Sequence, residues 1–211
     1  MITINKLENY NDEFNNSITT TTTSTSKRSR LQIKFLESDA QVFIGENTNL
    51  TDSEIILGKG ARLVMGSNSV LKGRLSIGSY ATVHIGDNLS VTNNLYIRAV
   101  EGKKVLIGND CLIASNVTIR TNDGHPIYDT TSGVRINMSQ DVVIENHVWL
   151  GDEVAVLKGV RIGEGSIVAM RSVVTKNIES KVIAAGIPAK VVRINCTWEH
   201  NLKTRTESLY D

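Results

Sequence analysis

From Ile144 to Val174 an aliphatic residue returns at every sixth position: Ile144, Leu150, Val156, Ile162, Val168 and Val174. A period of six matches neither an amphipathic helix nor the alternation of a hairpin sheet. It marks a parallel β-helix, in which each short strand forms one side of a coil and the recurring apolar side chain points into a shared core. The stretch amounts to two triangular coils of three hexads each. Gly151 and Gly163 fall where the chain turns between sides, and the expectation is that glycine stands there for its backbone freedom.

The same pulse runs upstream with slips, at Ile44, Leu57, Met65, Leu71, Ile77 and Ile85, and returns cleanly at Ile107, Ile113 and Ile119. Slips of a residue or two predict loops or irregular corners. With aromatic residues at only 5%, the core must be aliphatic, which suits stacked coils. Cys111 takes the inward fourth position of the Ile107 unit, so it reads as a buried structural thiol; a nucleophile needs exposure and a depressed pKa. Cys196 stands apart from it, and the pair forms neither a disulfide framework nor a zinc motif.

Residues 1–40 are expected to form an irregular segment capping the coil, residues 41–193 the β-helix, and residues 194–211 a tail or short helix carrying Trp198, Leu202, Leu209 and Tyr210. The run from Thr19 to Ser26 suits either a link or a strand, and the alternating Leu31, Ile33 and Phe35 favour a first, irregular coil. Lys27 to Arg30 reads as a solvated turn or a phosphate contact. A net charge of +1 exerts no general pull on nucleic acid or an anionic membrane. With no signal-like start and no apolar run long enough to span a bilayer, the expectation is a soluble, cytoplasmic protein without membrane insertion.

The repeats break from Thr121 to Asp141, a polar segment holding Gly124, Pro126 and Gly133 that must leave the coil and return to it. His125 stands near its start, between Asp123 and the stiffening Pro126. Histidine is the side chain most readily used as a base near neutral pH. The plain alternative is a surface histidine in a polar loop.

These hexads, with ThrAsnAspGlyHisPro (Thr121 to Pro126), HisValTrpLeuGly (His147 to Gly151), SerValValThrLys (Ser172 to Lys176) and AlaGlyIleProAlaLys (Ala185 to Lys190), resemble the hexapeptide-repeat acyltransferases. HisProIleTyrAsp followed by ArgIleAsn (Arg135 to Asn137) is most similar to the capsular polysaccharide and polysialic acid O-acetyltransferases among them. The resemblance implies a left-handed parallel β-helix, acetyl-CoA as acyl donor, a sugar or polysaccharide acceptor, and a homotrimer with active sites between subunits. It implies His125 as general base and Trp149 in the catalytic cleft against the donor; the second ring nitrogen of His125 would be held by a backbone carbonyl or by a carboxylate, for which Asp123 and Asp129 are the nearby candidates. His147 would be a turn residue without a chemical role. Thr175, Lys176, Gly186, Pro188, Lys190 and Arg193 would line the coenzyme. Asp123, Tyr128, Arg135 and Arg171, together with Arg120 and Lys158, are candidates for the acceptor side.

Two other classes compete. Zinc-binding β-helix trimers need convergent histidines with a closely spaced pair; His84, His125, His147 and His200 contain none, so no metal is expected. A non-catalytic β-helix scaffold would need neither the His125 loop nor Trp149. Within the enzymes, a small glycoside or nucleotide-sugar acceptor stays open.

Overall fold

A computed structural model describes residues 1–22, 30–203 and 205–209. Three parallel sheets run along the molecule, and successive coils contribute a strand to each of the first two and, from Ser90 onward, to the third. Face one stacks Leu31–Phe35, Ser53–Leu57, Gly73–Ile77, Leu95–Ala99, Thr118–Arg120, Ala155–Val156 and Val173–Val174. Face two stacks Ser17–Thr20, Gln41–Ile44, Arg62–Met65, Thr82–Ile85, Lys104–Ile107, Val142–Ile144 and Arg161–Ile162. Face three is made of Ser90–Asn93, Leu112–Ser115, Trp149–Leu150, Ile167–Val168 and Val182–Gly186, with Ala189–Ile194 returning antiparallel at its end.

The hexads are in the register their spacing predicts. Ile144 lies beside Ile162, Leu150 beside Val168 and Val156 beside Val174, so one coil is made of three hexads. Upstream the coils are longer: Leu63 lies beside Val83 and Leu75 beside Ile97, each pair further apart in the chain than three hexads reach. The extra residues sit in the corners, which is why the pulse slips there. Each inward residue stacks on its equivalent one coil away, as in the column Ile44, Met65, Ile85, Ile107, Ile144 and Ile162, all buried. Each such side chain contributes roughly 1.5–3 kcal/mol by leaving water.

Gly151 and Gly163 are needed for a different reason from the expected one. Neither has a left-handed φ. A Cβ at Gly151 would stand 2.7 Å from the Met170 amide nitrogen, and one at Gly163 would stand 2.5 Å from that of Ser180. What glycine supplies is the absence of a side chain where one coil's corner rests on the next. The left-handed positions lie two residues further on, at Glu153 and Gly165, the second in a corner column with Asn47, Asn68, Asn88, Asp110, His147 and Lys181.

The parallel ladder already includes Ser17–Thr20 and Leu31–Phe35, inside the segment expected to be a cap. Capping falls to Ile2–Ile4 and Tyr10–Asn11, which pair antiparallel to the first strands. Thr19 and Thr20 of the threonine run are strand, whereas residues 23–29, with most of the basic turn, lie outside the described residues. The described C-terminal segment forms a single 3-10 turn, Glu207–Leu209, with none of its residues buried; Tyr210 is not among the described residues. The anchor of the tail is Trp198, which is buried against the coil. Cys111 is fully buried and its thiol is pushed up to about 12 by burial, consistent with a structural role. Among the described residues no helix is long and apolar enough to cross a membrane.

Candidate active site

The step from Ile107 to its register neighbour Ile144 is the longest between successive strands of face two, because it contains the loop that leaves the coil after Arg120. The loop is a built structure. Tyr128 and Arg135 pair antiparallel across a turn in which Asp129 accepts from the Ser132 hydroxyl and from the amides of Thr131 and Ser132. At its centre the buried Asn137 donates through Nδ2 to Asp123 Oδ2 and to the His125 carbonyl, both at 2.9 Å, and its Oδ1 accepts from the Ile127 amide at 2.7 Å. Two ion pairs bolt the loop to the corner between faces one and two. Arg135 grips Glu101 with both terminal nitrogens, at 2.7 and 3.1 Å, and the Ser139 hydroxyl adds a bond to the same carboxylate. Lys158 pairs with Asp123.

These contacts reassign several expected roles. Asp123 is engaged by Lys158 and Asn137, which hold its carboxyl below the usual range, and Asp129 closes its own turn. Neither is bonded to the His125 ring, so the orientation of His125 comes through its backbone, clamped by Asn137 and followed by Pro126. Arg135 is committed to Glu101, whose carboxyl it and Ser139 hold down to about 2. Arg171 is paired with Glu153 at the corner between faces three and one, away from the loop. Within the chain, Arg135 and Arg171 are each engaged by a carboxylate, that of Glu101 and that of Glu153. His125 and Tyr128 are exposed.

Beside the loop lies a cationic pair that the sequence reading passed over in part. Arg98 and Arg120 are in register on face one, one coil apart, with both side chains pointing outward. Their Nε atoms and Asn122 Oδ1 are buried without a hydrogen-bond partner among the described residues. An Arg120 terminal nitrogen lies 3.3 Å from where a Gly124 Cβ would be, next to His125. Arg120 also acts on the Asp123 carboxylate at longer range, and two neighbouring guanidinium groups with unpaired Nε atoms suit an anionic group.

Trp149 stands on face three, 38% exposed, with its ring centroid 6.1 Å from that of Trp198. It lies on the flat of that face in a strand, not at a corner. Its neighbours in register are Ile167 and then Ile183, which faces Arg193 across the final hairpin. Lys190 and Arg193 are exposed on that hairpin, whose turn contains Gly186 and Pro188; the Gly186 amide donates to Ser172 Oγ at 3.0 Å. Thr175 and Lys176 are exposed after the last strand of face one. Within one chain, then, the His125 loop is bolted to one corner of the prism and Trp149 lies on the opposite face. A second outcome concerns His147, which is buried, its Nδ1 2.6 Å from Asp110 Oδ2 and its ring stacked on Trp198 at 4.2 Å.

A family profile described as bacterial transferase hexapeptide (six repeats) matches residues 141–176. The chain is 35% identical to a polysialic acid O-acetyltransferase of Neisseria meningitidis over 150 residues, which are 69% of this chain and 67% of that protein. The crystal structure of the polysialic acid O-acetyltransferase OatWY superposes with a TM-score of 0.69 at 30% identity, covering 90% of this chain and 94% of that one. This chain belongs to the hexapeptide-repeat acyltransferases. Its coils are the left-handed parallel β-helix of that family, and the polySia-specific acetyltransferase NeuO matches them with a TM-score of 0.84 at 29% identity, over 92% of this chain and 82% of that one. The polysialic acid O-acetyltransferase of Escherichia coli O1:K1 is 39% identical over 131 residues, and the chain spans 42% of its length. The galactoside O-acetyltransferase of Escherichia coli K12 is 36% identical over 129 residues, 62% of its length.

Asn137, Glu101 and Arg98 are residues of this hexapeptide-repeat site that sequence reasoning missed. Arg98 had a signal: it precedes Arg120 by one upstream coil, the same step that carries Leu75 to Ile97. Asn137 stands in the ArgIleAsn motif but its part as a hub, like that of Glu101 as an ion-pair partner, is recognisable only once the loop's path is known.

Proposed function

We propose that the protein transfers an acetyl group from acetyl-CoA to a hydroxyl of an anionic surface glycan, with His125 as general base. The observation that carries this reading is the ordered loop that presents an exposed His125 beside the unpartnered Nε atoms of Arg98 and Arg120. A carboxylated sugar lying across the two guanidinium groups would bring a neighbouring hydroxyl toward the imidazole. Relatives named for O-acetyl transfer to polysialic acid support the acidic acceptor, and the galactoside relative supports sugar acceptors more widely.

The chemistry is direct transfer. The hydroxyl proton passes to a ring nitrogen of His125 as the oxygen bonds to the thioester carbon, a step in which a positioned base contributes about 10²–10⁴-fold. The tetrahedral species then collapses, the carbon–sulfur bond breaks, and the departing thiolate takes the proton back. No acetylated cysteine is needed, since the thioester is already activated and Cys111 is buried with its thiol pushed up to about 12.

The separation of His125 and Trp149 within the chain favours a cleft completed by a neighbouring subunit. The loop's exposed Ile127, Val134, Ile136 and Met138 are the apolar surface such a neighbour would cover. On this reading His125 of one subunit works against a donor site on the next, where Trp149, Lys190 and Arg193 contact coenzyme A. Thr175, Lys176, Gly186 and Pro188 complete that site.

The test is thiol release from acetyl-CoA with acidic and neutral polysaccharides, alongside His125→Ala and the double variant Arg98→Gln, Arg120→Gln. Release with an acidic polymer should fall at least about 100-fold in the first. In the second, KM for the polymer should rise and its salt dependence flatten. Unchanged turnover in His125→Ala refutes the mechanism. A salt-independent preference for neutral glycosides refutes the acceptor.

A further inference from the structure

The tail returns to the coil at a cluster that the acetyl-transfer reading does not use. Asp110 and His147 occupy the same left-handed corner position in successive coils, with φ of 56° and 53°. The His147 amide donates to the Asn109 carbonyl, which stacks the two corners directly. Their side chains therefore leave the same corner one coil apart, and His200 of the tail closes on them: its Nε2 lies 2.9 Å from Asp110 Oδ1, while His147 Nδ1 lies 2.6 Å from Oδ2. The three donor atoms lie within 4.8 Å of one another. No two histidines are close in sequence, yet the tail folds back across face three and brings His200 to His147.

The protonation state of His147 follows from its partners. Its Nε2 is 3.0 Å from the Trp198 carbonyl oxygen, which can only accept, so Nε2 carries a hydrogen. In the neutral ring Nδ1 then has a bare lone pair, aimed at a carboxylate oxygen in a place where the histidine is only 5% exposed. Two lone pairs at that distance repel. A proton held between the two atoms, or a metal ion ligated by both, removes that repulsion.

We propose that Asp110, His147 and His200 bind one divalent cation of the zinc class, which clips the C-terminal segment onto the coil beside Trp149. Two imidazoles and one carboxylate form a ligand set that zinc accepts, with a fourth position open. The hydrogen bond from Nε2 to the Trp198 carbonyl is the outer contact that fixes a metal-binding histidine in one tautomer and one orientation. Ligands at roughly 2.0–2.2 Å in a tetrahedron stand about 3.3 Å apart. The cluster reaches that by opening its two short contacts, of 2.6 and 2.9 Å, and by bringing the two imidazole nitrogens, within 4.8 Å of each other, closer together. Trp198 secures the frame by stacking on His147 and donating Nε1–H to the His147 carbonyl at 2.7 Å.

The experiment uses the full chain, stripped with chelator and dialysed against zinc chloride, with bound metal read by elemental analysis. The variants are His200→Ala and Asp110→Asn, with His84→Ala on face two as the bystander. One equivalent of zinc per chain is expected in the wild type and in His84→Ala, with affinity at least tenfold lower in the other two. Cobalt(II) added to the stripped wild type should give the strong visible absorption of a tetrahedral ion, a readout that needs no variant to fold. Zinc uptake well below one equivalent, or uptake unchanged in His200→Ala, overturns the proposal and leaves a proton in the position of the metal. Because neither readout involves acetyl transfer, failure here is separate from failure of the proposed activity.

Discussion

Replacing Asn137 by alanine tests whether the His125 loop is held by its own hub rather than by the coil. The substitution removes three bonds of 2.7–2.9 Å: to the Ile127 amide, the His125 carbonyl and the Asp123 carboxylate. Two are between neutral groups and worth about 1 kcal/mol each, and the one to a carboxylate is worth about 1.5–3 kcal/mol. Loss of about 3–5 kcal/mol falls on the closing of the loop alone, because the residues it ties together lie outside the stacked core. The Ile127 amide should therefore exchange with solvent about 100-fold faster or more. Turnover in the thiol-release assay should drop by about 100-fold, the usual effect of a base displaced by an ångström. The melting temperature should move by only a few degrees, because the columns that include Ile107 and Ile144 are untouched. Unchanged exchange at Ile127 and turnover within twofold of wild type would refute the assignment of Asn137 as hub. A collapse of Tm as large as that of Leu150→Ala would refute the separation of loop from core.

Gly163→Ala puts a methyl group 2.5 Å from the Ser180 amide nitrogen and should cost about 1–3 kcal/mol in denaturant unfolding, whereas Gly133→Ala, in open space, should cost only the roughly 1 kcal/mol that its left-handed φ of 68° imposes. Glu101 is held down to about 2 from an ordinary 4.5 by Arg135 and Ser139, so its support of the loop is complete above about pH 4.5 and lost as pH falls toward 2. Ile127 exchange, corrected for intrinsic rate, should accelerate across that window in the wild type and lose that dependence in Glu101→Gln. Iodoacetamide should modify Cys196 in the native protein and leave the buried Cys111 untouched until unfolding; equal labelling of both would contradict the packing of face three.

The core was legible in the sequence because a β-helix repeats locally. Each strand pairs with the one a coil later, so a period in the chain becomes a column in space, as Ile144, Ile162 and Leu150, Val168 do. Position in the chain likewise marked the His125 loop, the one long break between regular arrays, and the burial of Cys111. The N-terminal boundary was read too late because the long early coils, which set Ser17 beside Gln41 and Leu63 beside Val83, hide the period behind variable corners. The glycines were identified as corner residues but for the wrong cause, since contact with the next coil leaves no trace in a single hexad.

What tertiary structure alone decided are the pairings across that periodicity. Glu101 meets Arg135, Asp123 meets Lys158, and Asp110 meets His200, each through a departure from the coil whose path the chain does not encode locally. These contacts tie Arg135, Lys158 and Arg171 to carboxylates and leave the Nε atoms of Arg98 and Arg120 without a partner among the described residues. A repeating sequence determines its own stacking because neighbouring coils carry the same instruction. A loop or a tail finds its partners only after those coils exist to receive it.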